Sequence, residues 1–461
     1  MQNVINWNGL FNKGAKFAVK LNTKRTMLVG LAFLSICIFW QMYDSVMTLI
    51  LTDTFHLNET IAGAVMAADN VLAIFLLPIF GAISDKTDTG FGKRMPFIVT
   101  GTVLAVIFLL LLPVADRRVN MVLFIVSLFA LLVSMGLYRS PAVALMPDLT
   151  PNKLRSKGNA IINLMGAVGG VYTLIMIKLL VGKGERPDYM PLFVSVAALM
   201  AVSVGILAIT ISEKKVKAKV AQEVREYEDR TGLKVETEDT VEAEEAAAEG
   251  KESVKHQMPA EVKRSMGFLL ASIFLWFTAY NAVTTAFSRY TKVVWHLEGG
   301  GFADCLMVAT VAAILSYVPI GNLAGRIGRK KTILVGIVLM SGCYFAAIFA
   351  NNYHALINVA FAVIGIGWAA INVNSYPMIV EMSKGCDIGK FTGTYYTFSM
   401  AAQILTPILS GFLLENVSYR TLFPYAFGFS VLAFFTMLQV HHGDTRPDKK
   451  ASVLEHFDVD D

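Results

Sequence analysis

The chain carries little charge. Asp, Glu, Lys and Arg make up only 16% of its 461 residues, whereas hydrophobic residues make up 55%. A soluble protein of this length has more charged residues. Its mean hydropathy is also lower than the value of +0.56 found here. The scarcity of charge therefore excludes the usual soluble classes, nucleic-acid-binding proteins among them, and indicates a protein that crosses a membrane many times.

Cysteine is scarce as well. The four cysteines fall mostly within or beside apolar runs and show no paired spacing: Cys37, Cys305, Cys343 and Cys386. This pattern disfavours disulfides and zinc sites, and it favours small buried side chains.

Several chemical motifs are also missing. The sequence has no Walker A loop and no GxSxG, HExxH or CxxC motif, so we expect no enzyme activity, no metal site and no bound cofactor. Transport driven by nucleotide hydrolysis on this chain is excluded for the same reason. Residues 1–26 are polar and basic ahead of the first apolar run, so we expect no cleavable signal peptide.

Apolar runs of bilayer-crossing length occupy most of the chain, in two groups of six. They fall near 27–51, 60–84, 97–115, 120–146, 158–181, 190–212, 266–294, 302–324, 332–350, 354–380, 391–414 and 420–440. The pattern predicts an all-α membrane protein with twelve transmembrane helices in two pseudo-symmetric halves. The domains are an N-terminal segment, a six-helix bundle, a charged linker, a second bundle and a tail: 1–26, 27–212, 213–264, 265–440 and 441–461.

The distribution of Lys and Arg predicts the orientation. Of the 40 basic residues, 31 lie on the side that holds the N-terminus and 5 lie in the opposite loops. Because cytoplasmic loops carry the excess of positive charge, we expect both termini in the cytoplasm and the protein in the cell membrane. The linker has 11 basic and 14 acidic residues and too few apolar ones for a core. It is either a partly helical connection or a regulatory, partner-binding segment.

Two similar hairpins stand half a chain apart. Gly81–Pro96 reads GAISDKTDTGFGKRMP, and Gly321–Lys331 reads GNLAGRIGRKK, beginning 240 positions later. Each is a short Gly-rich and basic loop between two apolar runs. Their repetition indicates a duplicated helical bundle.

Three ionisable residues lie within predicted spans. Asp44 shares one face of the first span with Gln41, Asp69 lies near the middle of the second span, and Arg139 lies in the fourth. Such groups are costly in a bilayer and are functional candidates by default. Asp44 and Asp69 are candidates for reversible protonation, and Arg139 for their counter-charge or for a fork that binds sugar hydroxyls. A purely structural ion pair is the alternative.

Uncharged hydrogen-bonding groups and aromatic rings accompany these charges in several spans. Amides and hydroxyls can pair with sugar hydroxyls while rings cover sugar C–H faces, although membrane aromatics also serve as packing and interfacial belts. The candidate substrate-binding residues are Gln41, Tyr43, Arg139, Asn163, Trp276, Tyr280, Asn281, Trp368, Asn372, Tyr395 and Gln403. Arg289 and Lys292 close the seventh predicted span on its outer side, and the non-functional interpretation is that they extend to the membrane interface.

The twelve spans and the repeated hairpin resemble the major facilitator superfamily. The second hairpin is similar to the signature G-x-x-x-D-R-x-G-R-R/K, with Gly325 at the acidic position. The longer first hairpin and the segment from Arg139 to Asn159 resemble the glycoside–pentoside–hexuronide cation symporters, in particular the sucrose and animal sugar–proton branch. The likeness is specific over about residues 69–175.

The resemblance implies a proton-coupled sugar symporter that works by alternating access. It also implies a conformational latch, made by Gly81, Asp85, Gly92, Lys93, Arg94, Asp148, Arg155, Gly321, Arg326, Gly328 and Arg329. The sodium-binding carboxylates of the melibiose carriers would fall on Ala73 and Leu77, which argues against sodium and for a proton gradient. Asp44 is not part of the plant sucrose-carrier pattern.

The expected partners are a sugar substrate and membrane lipids, and the protein is expected to be a monomer. Two other functions fit the same sequence. One is an exporter of amphiphilic compounds or lipids with the same fold, which a wide apolar cavity with few amides would favour. The other is a sensor that binds sugar without moving it.

Overall fold

The computed structural model describes residues 21–151, 154–184, 186–231, 259–383 and 388–444. Residues 1–20 of the N-terminal segment, residues 232–258 of the linker, residues 445–461 of the tail and Cys386 lie outside this part of the chain.

The N-terminal half contains six long helices. They are α1 (Thr23–Asp53), α2 (Glu59–Lys86), α3 (Met95–Arg117), α4 (Met121–Asp148), α5 (Arg155–Leu180) and α6 (Met190–Thr210). The linker then begins with one more helix, α7 (Glu213–Thr231).

The C-terminal half contains six further helices. They are α8 (Ala260–Val294), α9 (Ala303–Ile327), α10 (Arg329–Ile348), α11 (Leu356–Met382), α12 (Ile388–Asn416) and α13 (Leu422–Leu438), the last preceded by a 3-10 turn at Tyr419–Thr421. Within the described residues, twelve helices are long and apolar enough to cross a bilayer, α7 being the exception. The predicted fold class is confirmed.

Short polar residues define where several helices begin. The side chain of Asn58 accepts a hydrogen bond from the backbone N–H of Ile61 at 2.9 Å, and Asn120 accepts one from Leu123 at 2.9 Å. Each cap satisfies an N–H that the first turn leaves without a partner, worth about 1 kcal/mol. The caps explain why bilayer-length helices start at these points.

The packing of the two halves repeats. In the N-terminal half α1 packs against α5 and α6, α3 against α4 and α6, and α2 against α4. The equivalent pairs in the C-terminal half are α8 with α12 and α13, α10 with α11 and α13, and α9 with α11. The duplication that the hairpins indicate therefore extends to the helix contacts.

A pair of histidines shows the same offset of 240 positions between the two halves. His56 follows α1 and His296 follows α8, again 240 positions apart, and both adopt a φ of 53°. In each case the next residue, Leu57 or Leu297, donates its backbone N–H to a carbonyl six residues earlier, at 3.1 Å. The two halves thus end their first helix with the same turn.

The halves meet through α1 with α8, α2 with α12, and α5 with α9. We call the end of the bundle where α1 begins the termini end, and the opposite end the far end. At the far end α2 and α12 touch backbone to backbone: a Cβ added at Gly63 would lie 2.1 Å from the carbonyl O of Pro407, and one at Gly411 would lie 2.3 Å from that of Glu59. Glycine at these two positions permits the close approach.

Replacing Gly411 by Val is expected to push α2 and α12 apart at the far end, because the new Cβ has no room beside the Glu59 carbonyl. Spin labels at Asn58 and Val417, both exposed at that end, would report a longer distance than in the parent protein. Gly205→Val is the matched control, since nothing lies within 4 Å of a Cβ there. An unchanged distance in Gly411→Val would contradict the assignment.

Candidate functional site

A cavity of about 350 Å³ lies between the halves. Helices α1, α2, α4 and α5 line it on one side, and α8 and α12 line it on the other. Its lining is Phe33, Ile36, Cys37, Trp40, Asp44, Met66, Asp69, Asn70, Arg139, Val143, Asn159, Ile162, Asn163, Asn281, Thr284, Thr285, Tyr396, Gln403 and Pro407.

The charged groups of this cavity all belong to the N-terminal half. Asp44, Asp69 and Arg139 come from α1, α2 and α4, and the Arg139 charge acts on both carboxylates through space. Arg139 makes no ion pair with any residue in the described ranges. Its guanidinium carbon lies instead 5.5 Å from the ring centroid of Trp40, a cation–π contact. The structural ion pair considered for Arg139 is therefore not formed in this conformation.

The two carboxylates of the cavity differ in their hydrogen bonds. Asp69 accepts a hydrogen bond from Asn70 Nδ2 at 2.8 Å. Asp44 has no hydrogen-bond partner within the described part of the chain and faces both this cavity and a smaller one beside it. The two carboxylates thus differ in their direct contacts: Asp69 accepts an amide hydrogen bond, whereas Asp44 has only the positive charge of Arg139 nearby.

The C-terminal half contributes uncharged groups. Asn281, Thr284 and Thr285 lie on α8, and Tyr396 and Gln403 lie on α12. Two buried N–H donors in the cavity lining have no acceptor among the described residues: Asn281 Nδ2 and Trp40 Nε1. A buried donor without an acceptor costs about 1–3 kcal/mol. Both nitrogen atoms are covered by neighbouring atoms in this conformation, so they become available to the oxygen atoms of a ligand only when these side chains rotate.

The smaller cavity, of about 230 Å³, adjoins the first and shares Trp40, Asp44 and Asn163 with it. It adds Gln41 from α1 and Thr310 and Tyr317 from α9. Gln41 Nε2 donates to Ser45 Oγ at 3.2 Å. The two cavities together form one polar region along α1.

The structure thus brings seven of the residues singled out in the sequence to these cavities: Gln41, Asp44, Asp69, Arg139, Asn163, Asn281 and Gln403. Six others line neither cavity: Tyr43, Trp276, Tyr280, Trp368, Asn372 and Tyr395.

Packing explains where those six lie. Tyr43 is fully buried and donates its hydroxyl to the Met66 carbonyl O at 3.3 Å. Trp276, Asn372 and Tyr395 are buried, with 1%, 4% and 1% of their surface exposed. The rings of Tyr280 and Trp368 stack on each other, with centroids 3.8 Å apart. In this conformation the predicted sugar platforms Trp276 and Trp368 are occupied by protein contacts.

Sequence reasoning passed over Trp40 and Tyr396 as site residues, although a helical-face argument finds them. Trp40 precedes Asp44 by one helical turn. Positions 396, 403 and 407 share one face of α12, whereas 395 does not, so the spacing selects Tyr396 over Tyr395.

The first hairpin forms a compact charged cluster at the termini end. Arg94 donates to Asp148 Oδ2 at 2.8 Å and to Ser84 Oγ at 2.5 Å, and it also pairs with Asp85. Burial lowers the pKa of Arg94, but Asp148 and Asp85 outweigh it and raise that pKa above its ordinary value. The expected latch residues Asp85, Arg94 and Asp148 thus meet within one half.

Glu213, at the start of the linker helix, completes this cluster. Its carboxylate accepts hydrogen bonds from the backbone N–H groups of Lys93, Arg94 and Met95, at 2.9, 2.9 and 3.2 Å. An acid at the start of α3 is favourable because the first N–H groups of a helix are unpaired. Gly92 has a φ of 113°, and a Cβ there would lie 2.3 Å from Glu213 Oε2.

The second half has a similar arrangement, in which a carboxylate accepts a backbone hydrogen bond at the start of a helix, but it uses different residues. Asp444, just after α13, accepts a hydrogen bond from the Lys330 backbone N–H at 2.7 Å, beside Gly328 with a φ of 95°. Arg329 pairs with Glu381 at 2.8 Å, as Arg94 does with Asp148. Arg326 is exposed and makes no ion pair in the described ranges, and Gly325 stands at the acidic position of the signature.

The remaining latch candidates have other neighbours. Arg155 Nη2 donates to the Pro147 carbonyl O at 3.3 Å. A Cβ at Gly81 would lie 3.0 Å from Ser140 Oγ, and Gly321 lies inside α9.

At the far end a buried charge network joins the halves. Arg289 on α8 contacts Asp53 and Glu59, both at 2.7 Å, and Lys292 contacts Asp53 at 2.7 Å. Tyr419 donates to Glu59 at 2.5 Å. The interpretation that Arg289 and Lys292 extend to the membrane interface is therefore wrong, because both find carboxylates on the other half. We call these five residues the far-end network.

Two contacts extend the closure of the far end. Lys178 pairs with Asp304 at 2.7 Å, joining α5 to α9, and the Thr60 backbone N–H donates to Glu415 at 3.1 Å, joining α2 to α12. These pairs could not be predicted from local sequence patterns, since the partners stand more than 100 positions apart.

Comparison with known proteins decides the family. The model of the Major Facilitator Superfamily matches residues 29–315 and 299–456, which together cover most of the sequence. The chain belongs to this superfamily. It is accordingly a multi-pass membrane protein of a superfamily of transporters.

Curated relatives of this superfamily member are distant. The isoprimeverose transporter of Lactiplantibacillus pentosus is 21% identical over 295 residues, which cover 62% of this chain and 56% of that protein. The chloramphenicol resistance protein CraA of Acinetobacter baumannii is 29% identical over 137 residues, 30% of this chain and 32% of that protein. The chain thus spans only about a third to just over half of these relatives.

Solved structures share the major facilitator fold. The inward-open conformation of the xylose transporter XylE from E. coli superposes with a TM-score of 0.63 at 15% identity, covering 94% of this chain and 98% of XylE. The nucleoside transporter NupG gives a TM-score of 0.62 at 17% identity, covering 91% and 99%. At these identities the likeness extends to the fold alone.

Replacing Arg289 by Gln is expected to weaken the closed far end, because Glu59 loses its cation and Asp53 retains only Lys292. Removing one partner of a buried pair costs about 3–5 kcal/mol. Thermal unfolding in detergent would show a lower midpoint, and a cysteine placed at Ala62, which is fully buried near the start of α2, would react faster with a polar thiol reagent.

Arg117→Gln serves as the control, because Arg117 and Asp188 form an exposed pair at the same end. Such pairs contribute about 0–1 kcal/mol, so its midpoint should stay close to that of the parent. Equal behaviour of the two variants would show that the far-end network does not hold the halves together.

Proposed function

We propose that this transporter moves a sugar or glycoside, such as a disaccharide, together with protons by alternating access. The observation that carries the proposal is the composition of the cavity. One wall supplies two carboxylates and one guanidinium, and the other supplies an amide pair, Asn281 and Gln403, with hydroxyls and the ring of Tyr396. The second wall can form hydrogen bonds with a neutral ligand that has many hydroxyls. The carboxylates of the first wall can bind and release a proton.

Coupling follows from the charge balance. When both carboxylates are ionised, the two carboxylates and Arg139 together have a net charge of −1. One bound proton makes this group of three neutral. Because charge in a low-dielectric cavity is costly, the protonated and neutral site favours movement of the loaded carrier, and in the empty carrier Arg139 offsets only one of the two ionised carboxylates. Asp44 is the proposed proton acceptor, and Arg139 the group that orients the sugar or takes over as counter-charge.

Sodium coupling receives no support from the lining. The positions that carry sodium-binding carboxylates in the melibiose carriers are Ala73 and Leu77 here, and neither lines the cavities. We therefore propose a proton gradient as the energy source and no bound metal or cofactor.

The contacts suggest which state the structure represents. The far end is closed by the far-end network, while the cavity lining reaches Asn159 and Tyr396, one to two turns from the termini-end starts of α5 and α12. With 31 of 40 basic residues on the termini side, we place that side in the cytoplasm of the cell. The state is then inward-facing, and rocking of the halves would open the far end.

An exporter of amphiphilic compounds is the second candidate. The observation in its favour is the partial likeness to a chloramphenicol resistance protein. The amide and carboxylate lining argues for the sugar instead, since amphiphile carriers need a wide apolar cavity. A sensor that binds sugar without flux remains the alternative from another class.

Transport assays in proteoliposomes test the proposal. Purified protein is expected to exchange radiolabelled sucrose, maltose or another glycoside in counterflow, and to accumulate it only when the pH gradient drives protons inward. Uptake indifferent to the gradient would overturn proton coupling, and binding without exchange would favour the sensor. Accumulation of chloramphenicol-like amphiphiles but of no sugar would favour the exporter.

Two substitutions separate coupling from binding. Asp44→Asn is expected to retain counterflow but lose gradient-driven accumulation by about tenfold or more, because the amide keeps the shape and cannot carry the proton. Asp69→Asn should reduce accumulation similarly if the carboxylates titrate together. Asp188→Asn, at an exposed far-end position, is the control and should match the parent. Full accumulation in both cavity variants would remove these residues from the coupling mechanism.

A further inference from the structure

A groove of about 680 Å³ lies on the outer surface of the C-terminal half, between α10 and α13. Its lining is Arg326, Ile327, Lys331, Leu334, Val335, Val338, Leu339 and Phe434. Neither α10 nor α13 lines the two central cavities, so the groove is separate from the proposed transport site.

The groove has a charged head and an apolar body. Arg326 and Lys331 stand at its termini end, where α9 ends and α10 begins, and the other lining residues are apolar. Val335 and Val338 are 44% and 54% exposed on the outside of the bundle, where hydrocarbon surrounds a membrane protein. The rise of α10 from Lys331 to Leu339 is about 12 Å, so the apolar body extends well below the headgroup level.

Both cations are available to a ligand. Arg326 and Lys331 are exposed and form no ion pair in the described ranges. Their neighbours in the same hairpin are engaged: Arg329 pairs with Glu381, and Lys330 Nζ donates to the Leu438 carbonyl O at 2.9 Å. No acidic residue lines the groove. Two uncompensated positive charges therefore face an apolar channel at the membrane surface.

We propose that this groove binds one anionic phospholipid, with its phosphate between Arg326 and Lys331 and an acyl chain along Val335, Val338 and Phe434. Charge complementarity selects an anionic headgroup, and the apolar body selects a molecule with a chain. A soluble anion satisfies only the first requirement, and a zwitterionic lipid satisfies only the second.

Native mass spectrometry of the full chain in detergent tests the proposal. The protein is titrated with phosphatidylglycerol or with phosphatidylcholine of the same chains, and the lipid-bound fraction is measured. One phosphatidylglycerol is expected to remain bound at about tenfold lower concentration than phosphatidylcholine. Glycerol phosphate, which lacks the chains, should not compete. Equal retention of both lipids, or competition by glycerol phosphate, would overturn the proposal.

Variants locate the site. Arg326→Gln with Lys331→Gln should bring phosphatidylglycerol to the level of phosphatidylcholine, whereas Lys215→Gln with Lys217→Gln on α7 removes the same charge from the same end and should change nothing. Val338→Trp keeps both cations and fills the groove, so it should weaken phosphatidylglycerol retention about tenfold even if the double charge variant fails to fold. Parent-like retention in Val338→Trp would refute the site.

Discussion

Charge inside a membrane must be balanced, and this requirement accounts for much of the structure. The central cavity holds two carboxylates against one guanidinium, and that guanidinium rests on the Trp40 ring rather than on a carboxylate. At the far end the balance is achieved by direct pairing, with Arg289 and Lys292 placed against Asp53 and Glu59. Among the described residues, the first site leaves its charges without a direct ion pair, and the second uses its ion pairs to close the bundle.

The two charge sites lie on the same helix. α1 carries Asp44 in the cavity and Asp53 in the far-end network, nine residues further on, which is about 13.5 Å along the axis. α8 likewise carries Asn281 in the cavity and Arg289 in the network. A shift of α1 against α8 that opens the far end must therefore alter the cavity wall. Under the proposed alternating access, this shared helix pair would couple the cavity to the far-end network.

The fold was predictable because its signals are local and repeated. Twelve apolar runs, and hairpins 240 positions apart, require only composition and spacing. The charged cavity residues were predictable too, since Asp44, Asp69 and Arg139 stand out against apolar neighbours. The uncharged lining was predicted less well: one residue of register separates Tyr396 from Tyr395, and polar density alone does not resolve which helical face turns inward.

The far-end network and the role of Glu213 could not be predicted from one sequence. Arg289 and Glu59 stand 230 positions apart, and nothing local distinguishes a cation that pairs across the halves from one that faces the headgroups. Glu213 is one of fourteen acids in the linker segment, and its role depends on a backbone turn at Gly92 with positive φ.

The contacts of Glu213 and Asp444 at the termini end bear on how the two bundles are held together. Glu213 fastens the exit of the first bundle to its own third helix, and Asp444 does the same for the second. Each bundle thus has its own stabilising carboxylate. Glu213 precedes residues 232–258 in the sequence, and Asp444 follows them. A gene split within that segment would encode two fragments that each retain their fastening. The contacts of Glu213 and Asp444 each lie within one bundle, so neither depends on a covalent connection between the two bundles.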